Sequence, residues 1–192
     1  MTAALAVLGY LSGSVPYGLL LTRIFRGVDV RTRGSGNIGA TNVARVAGPG
    51  LGALVLVLDA LKGALPVLLA RAVSADAVAP ALVGLAAFAG HVAPPWLGFR
   101  GGKGVATALG VLAVLAPRAA LAALAAFGLL FALFRVSSVG SLGAGLVAVL
   151  VAWCVEGTPR PAAWLTTGLF LLILWTHRGN LARLVRRSEP RL

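Results

Sequence analysis

LGALVLVLDALKGALPVLL, residues 51–69, is a nineteen-residue apolar run interrupted only by Asp59 and Lys62. A bilayer core takes about 20 apolar residues in helical conformation, so this run reads as a membrane-crossing helix. Comparable stretches recur from Thr2 to Thr22, Ala79 to Ala93, Val105 to Ala116, Ala119 to Phe134, Val139 to Val155 and Pro161 to Thr176. The chain of 192 residues is 59% hydrophobic and 11% charged, with a mean hydropathy of +0.94. A water-soluble domain of this size has no core large enough to hide that much apolar surface. The expectation is a single integral membrane domain over 1–192, an all-α bundle of about seven transmembrane helices. The fourth and seventh runs are short, which predicts helices that stop early and leave a depression at one face. Asp59 and Lys62 stand three apart, and ionisable residues at membrane depth are costly unless paired, so they read as a structural ion pair.

The net charge of +12 excludes little by itself, because the cations lie between and after the apolar runs and form no soluble basic face for nucleic acid. Their distribution orients the chain instead. With the N-terminus outside, thirteen cations (Arg23, Arg26, Arg31, Arg33, Arg45, Arg100, Lys103, Arg135, Arg178, Arg183, Arg186, Arg187 and Arg191) face the cytoplasm, against Arg71, Arg118 and Arg160 outside. The positive-inside rule favours this arrangement, which also makes the C-terminus cytoplasmic. No basic residue precedes the first run, and its first cation is Arg23, so it reads as a retained span and not a cleaved leader. Cys154 is the lone cysteine and reads as packing. Two histidines and five carboxylates, scattered along the chain, form no plausible metal-ligand set.

Polar residues gather in the segments assigned to the cytoplasm. GSGNIGATNVAR, at 34–45, combines three glycines with Ser35, Thr41, two asparagines and Arg45. Glycines let backbone N–H groups approach an anion, and the hydroxyls and guanidinium add donors, so the stretch suits a phosphate. A turn followed by a helix cap is the plainer reading of the same residues. The GK[ST] ending of a nucleotide-binding loop is absent. FRGGKG, at 99–104, sets Lys103 among glycines at the start of a helix, a second anion site or a basic loop with Trp96 as interfacial anchor. In HRGNLAR, at 177–183, His177, Asn180 and Arg183 recur every third residue and share a helical face, while the arginines after them also suit anionic lipid. Ser137, Ser138 and Ser141 follow Arg135 near the same end, where a serine either reaches the site or caps a helix. Glycine-broken segments at membrane depth also line transport paths, but such a path needs polar residues at both faces, and the outer connections are short and poor in ligands.

In this order, together with GSVPYG at 13–18, the Asp59 and Lys62 pair followed by Gly63, and GHVAPPWLGFRGGKGVAT at 90–107, the motifs resemble the bacterial acyl-phosphate-dependent glycerol-3-phosphate acyltransferase (PlsY) family over nearly the whole chain. The resemblance implies transfer of a fatty acyl group from acyl phosphate to the 1-hydroxyl of glycerol 3-phosphate, giving lysophosphatidic acid and phosphate, the first step of bacterial phospholipid synthesis. It implies an inner-membrane enzyme without cofactor, with its site facing the cytoplasm, membrane lipids around it, and a soluble phosphate acyltransferase as a partner that supplies acyl phosphate. The catalytic set carried over is Ser35, Arg45, Lys103, His177 and Asn180, and the substrate-binding set is Gly36, Asn37, Gly39, Thr41, Asn42, Gly102 and Ser141. Within these, Ser35, Arg45, Lys103 and Ser141 correspond to ligands of glycerol phosphate. Asn37, Gly39, Thr41, Asn42, His177 and Asn180 correspond to groups that position acyl phosphate and the developing oxyanion. The His-x-x-x-x-Asp pair of other glycerolipid acyltransferases is absent, since Trp96 and Ala182 stand five residues after His91 and His177. Arg187 stands where the family's last motif carries a glycine, ahead of Ser188 and Glu189.

Overall fold

The computed structural model describes residues 1–154 and 160–191, and every regular element among them is helical. The order is α1 (Thr2–Gly13), α2 (Tyr17–Arg26), α3 (Ala40–Ala47), α4 (Pro49–Val73), α5 (Val78–Val92), α6 (Val105–Leu115), α7 (Pro117–Phe134), α8 (Ser137–Cys154), α9 (Arg160–Thr176) and α10 (Arg178–Val185), with short 3-10 turns at Val30–Thr32 and Pro95–Leu97. Five stretches are long and apolar enough to cross a membrane: Thr2–Arg26, Pro49–Val73, Val78–Leu97, Pro117–Phe134 and Ser137–Cys154. The fourth run stops short as expected: at 1.5 Å per residue, α6 with 11 residues rises about 16 Å, well under the ~30 Å hydrocarbon core, while α9 is described over 17 residues from Arg160. The outer connection expected over Glu156 to Arg160 lies, except for Arg160, outside the described residues.

The first span differs from the expected continuous helix. Pro16 has no N–H to continue the backbone ladder, so the helix breaks at Ser14–Pro16 and restarts as α2. A broken helix in lipid must satisfy its freed carbonyls from neighbouring elements. Here Lys62 reaches from α4 and donates to Val15 O at 2.7 Å while pairing with Asp59 at 2.7 Å. The buried ion pair expected from the sequence therefore also closes a break in the first span.

Helices approach one another through small residues, as suits a solvent in which apolar burial gives no drive to associate. A Cβ on Gly13 would stand 1.9 Å from Ala87 O, and one on Gly110 would stand 1.9 Å from Ala60 O, so α1 meets α5 and α4 meets α6 backbone to backbone. The interior is built from valine and alanine with Phe88, Leu169 and Ile173, while Leu54, Val57, Leu65 and Leu68 of α4 point outward. Large exposed apolar residues on nearly every helix are a liability in water and neutral against lipid tails. Cys154, read as packing, ends α8 in an exposed position as a free thiol.

Candidate active site

The first polar segment is shaped by one buried side chain. Helix α2 ends at Gly27 in the left-handed region (φ +63°), and Asp29 then binds both Arg23 and Arg31 at 2.7 Å. The Arg31 guanidinium holds the Asp29 carboxyl far below the usual carboxylate range. From α3, Asn42 reaches back into the loop. Its Oδ1 accepts from Ser35 N at 2.8 Å, and its Nδ2 donates to Val30 O, Arg33 O and Asn37 O at 3.1, 3.1 and 2.9 Å. These bonds occupy both hydrogens of the amide nitrogen, and Asn42 braces the loop. Asn37 Oδ1 accepts from Gly39 N at 2.8 Å, which sets Gly39 as the cap of α3. The helix-cap reading of this stretch thus holds at Gly39. Ser35 is exposed, Gly36, Thr41 and Arg45 are half-buried, and Arg45 lies in the last turn of α3.

The second segment is zipped onto the end of α5. Gly101 N and Gly102 N donate to Val92 O and His91 O at 2.9 and 3.1 Å. Gly102 lies so close to the imidazole that a Cβ there would stand 2.2 Å from His91 Nε2. Gly104, at φ +81°, leads into α6. Between these anchors Lys103 is half-buried, and its carbonyl accepts from Thr176 Oγ1 at 3.2 Å, next to His177 in the chain. A cavity of about 480 Å³ opens where this segment faces the first, lined by Arg31, Thr32, Gly36, Leu97, Arg100 and Gly101 among others.

The third segment completes the cluster. His177 Nδ1 lies 2.9 Å from Ile173 O. A carbonyl only accepts, so Nδ1 carries the proton and Nε2 of the neutral ring is left with a free lone pair. Asn180 Nδ2, Arg183 Nε and Ser138 Oγ all donate to Glu189, the last two at 2.7 and 2.9 Å. Ser141, a substrate-binding expectation, turns its hydroxyl back to Ser137 O at 2.9 Å in its own helix, and Ser138 is the serine that joins the cluster. Glu189 and Ser138 were outside the expected site set. The sequence signals for Glu189 are its place at the end of the family's last motif and its standing as a lone carboxylate after Arg183, Arg186 and Arg187.

The charges of these segments influence one another. Burial pushes Lys103 down to about 8, helped by Arg183 and Arg45 and opposed by Glu189. Burial and the Lys103 charge push His177 down to about 4, so the ring is neutral at physiological pH. Burial alone raises Glu189, but the bonds from Asn180, Arg183 and Ser138 outweigh it and hold the carboxyl below its usual range. The result is a set of cations and donors at one end of the bundle, with a lysine close to its titration point and a histidine that accepts without being charged.

The glycerol-3-phosphate acyltransferase family model matches residues 3–187. A glycerol-3-phosphate acyltransferase of Myxococcus xanthus (strain DK1622) is 61% identical over the full length of both chains. One of Anaeromyxobacter sp. (strain Fw109-5) is 50% identical over 98% of this chain and 95% of its own. The fold is similar to the crystal structure of PlsY (YgiH), an integral membrane glycerol 3-phosphate acyltransferase, in its glycerol 3-phosphate form: TM-score 0.94 and 38% identity over 100% of this chain and 95% of that one. Its lysophosphatidic acid form aligns over the same shares with a TM-score of 0.92 and 38% identity. The chain is a multi-pass membrane protein and belongs to the glycerol-3-phosphate acyltransferase family.

Proposed function

We propose that the protein transfers a fatty acyl group from acyl phosphate to the 1-hydroxyl of sn-glycerol 3-phosphate, releasing 1-acyl-glycerol 3-phosphate and inorganic phosphate. The observation that carries this is the meeting of Lys103 with the charges of Arg45, Arg183 and Glu189 beside a neutral His177. Two phosphorylated substrates require several cations in one place, and three chain segments supply them. Ser35, Arg45 and Lys103 hold the phosphate of the acceptor. Asn37 and Thr41 present side-chain donors to the anions, while Gly36, Gly39 and Gly102, whose N–H groups bond within the protein, let the chain approach them closely, with Asn42 bracing the loop and Ser141 beside the site. Asn180, which has a second amide hydrogen beyond the one given to Glu189, donates to the carbonyl oxygen as it becomes an oxyanion.

Acyl phosphate is a mixed anhydride and already activated, so no covalent enzyme intermediate is required. The acceptor's O1 forms a bond to the carbonyl carbon, the bond from that carbon to the phosphate oxygen breaks, and phosphate leaves with the electron pair. The hydroxyl proton passes to the phosphate of glycerol 3-phosphate, whose second pKa near 6 fits the task better than a histidine held at about 4. His177 orients the acceptor and does not take its proton.

The same reading gives seven helices through the membrane: α1 with α2 as one broken span, then α4 to α9. The N-terminus lies outside and the three segments face the cytoplasm of the inner membrane, where a soluble phosphate acyltransferase delivers acyl phosphate. The bonds from Thr176 Oγ1 to Lys103 O and from Ser138 to Glu189 support this layout, since they draw the ends of α6, α8 and α9 to one face. The test is donor choice. Purified protein in detergent receives glycerol 3-phosphate with palmitoyl phosphate or with palmitoyl-CoA, and lysophosphatidic acid is measured. Product from palmitoyl phosphate alone is expected; equal or better use of palmitoyl-CoA overturns the proposal.

A further inference from the structure

We propose that Asp59, at membrane depth in α4, is a positioning residue that sets the GGKG segment and the GSGN segment in register with each other. The mechanism above uses neither Asp59 nor its partners, yet they form a deeply buried ionisable cluster: Asp59, Lys62 and His91 are 2%, 3% and 4% exposed. Asp59 Oδ1 lies 2.7 Å from Lys62 Nζ on one side and 3.8 Å from His91 Nδ1 on the other. Each neighbour leads to a different phosphate segment.

On the Lys62 side, Nζ donates to Val15 O at the break of the first span and lies 5.6 Å over the Tyr17 ring. Helix α2 starts there, and its Gly18 is so close to the first segment that a Cβ would stand 1.8 Å from Ile38 O. The position of Lys62 therefore fixes the height of α2 and with it the strand of chain that carries Ser35 and Asn37. On the His91 side, the ring lies directly beneath Gly102, and the His91 carbonyl accepts from Gly102 N at 3.1 Å. Lys103 is the next residue, so a shift of the imidazole moves its backbone. Trp96 Nε1 bonded to Ser14 Oγ and Tyr10 OH bonded to Ala93 O, both at 2.7 Å, tie the two branches together again closer to the site.

A charged pair within a span is expensive, and a hydrophobic pair would pack the helices as well. What it gives here is direction: one carboxylate holds a lysine that sets one segment and faces a histidine that supports the other. Groups one layer behind a metal site typically change its affinity by 10- to 100-fold when altered, and an effect of about that order is expected here.

The inference rests on the acyl-transfer reading for its kinetic assay, and a double-mutant cycle tests it. kcat and KM for glycerol 3-phosphate are measured for the wild type, Asp59→Asn, Lys103→Ala and the double variant, each confirmed folded by size exclusion and by its thermal midpoint. Asp59→Asn is expected to raise KM about tenfold or more in the wild-type background and by about threefold, through the GSGN segment alone, when Lys103 is already absent. The same factor in both backgrounds, or no change in KM at all, overturns the proposal, because a merely structural pair acts on the folded fraction and not through Lys103. If Asp59→Asn does not fold, His91→Gln takes its place under the same criterion. If the wild type has no acyl transfer, the reaction is refuted but not the wiring. The cycle is then read from inorganic phosphate binding by calorimetry in the same four proteins.

Discussion

Replacing Asn42 by alanine separates a residue that braces the phosphate loop from one that touches substrate. Its side chain makes four close contacts with Ser35 N and the carbonyls of Val30, Arg33 and Asn37, but Nδ2 has two hydrogens, so three full hydrogen bonds are the most it supports. At about 0.5–1.5 kcal/mol net each, their loss costs ~1.5–4.5 kcal/mol, and water reaching the half-exposed loop recovers part of it. A central value of about 2–3 kcal/mol, charged entirely to the population of the ordered loop, lowers kcat/KM for glycerol 3-phosphate by about 30- to 150-fold. The loss falls on a loop and a short helix, not on the bundle, so the thermal midpoint is expected to move by only a few degrees. The assay is a glycerol 3-phosphate titration at saturating palmitoyl phosphate, with circular dichroism confirming helix content. Asn42→Asp keeps the acceptor for Ser35 N and loses the donors, and is expected to fall between wild type and Asn42→Ala. An Asn42→Ala variant whose kcat and KM both stay within about threefold of wild type refutes the bracing role.

Further outcomes follow from the charges and contacts. Lys103 is cationic below a pKa of about 8 and neutral above it, so kcat/KM for glycerol 3-phosphate should rise until the substrate phosphate loses its second proton near pH 6, hold to about pH 7.5 and then fall, approaching tenfold per pH unit. Glu189 raises that pKa, so Glu189→Gln should move the limb to lower pH in the same profile. His177 is neutral above about pH 5, and a hydrogen-bond acceptor suffices in its place; His177→Gln should keep kcat within about tenfold of wild type, whereas complete loss with unchanged substrate binding would make His177 the base. Gly110→Ala puts a methyl group against Ala60 O where α4 and α6 touch, so a drop in thermal midpoint, equivalent to about 1–3 kcal/mol of overpacking, is expected in detergent unfolding.

The apolar runs were legible because lipid demands long uninterrupted helices, and the order of the glycine motifs marked the segments that gather at one end. What the sequence concealed lies in partners distant along the chain. Pro16 signalled a break, but the surrounding leucines kept the hydropathy continuous, and nothing local indicated that Lys62, 47 residues on, would cap it. Asn42 and Asn37 look alike as ligands in GSGNIGATN, yet only a fold that turns α3 back onto its own loop makes Asn42 a brace. Ser138 and Ser141 are one helical turn apart, and the choice between them rests on where Glu189 arrives, 51 residues after Ser138. Glu189 itself lies in a basic tail whose plainest reading is lipid attraction.

The central claim is direct transfer within one site, and the time course of phosphate release from palmitoyl phosphate tests it most directly. Rapid mixing of purified protein with palmitoyl phosphate alone should give no burst, with release beginning only when glycerol 3-phosphate is added and matching lysophosphatidic acid one for one. A burst of phosphate equal to the enzyme concentration, without acceptor, would contradict the account, since it would mean that an acyl-enzyme forms first.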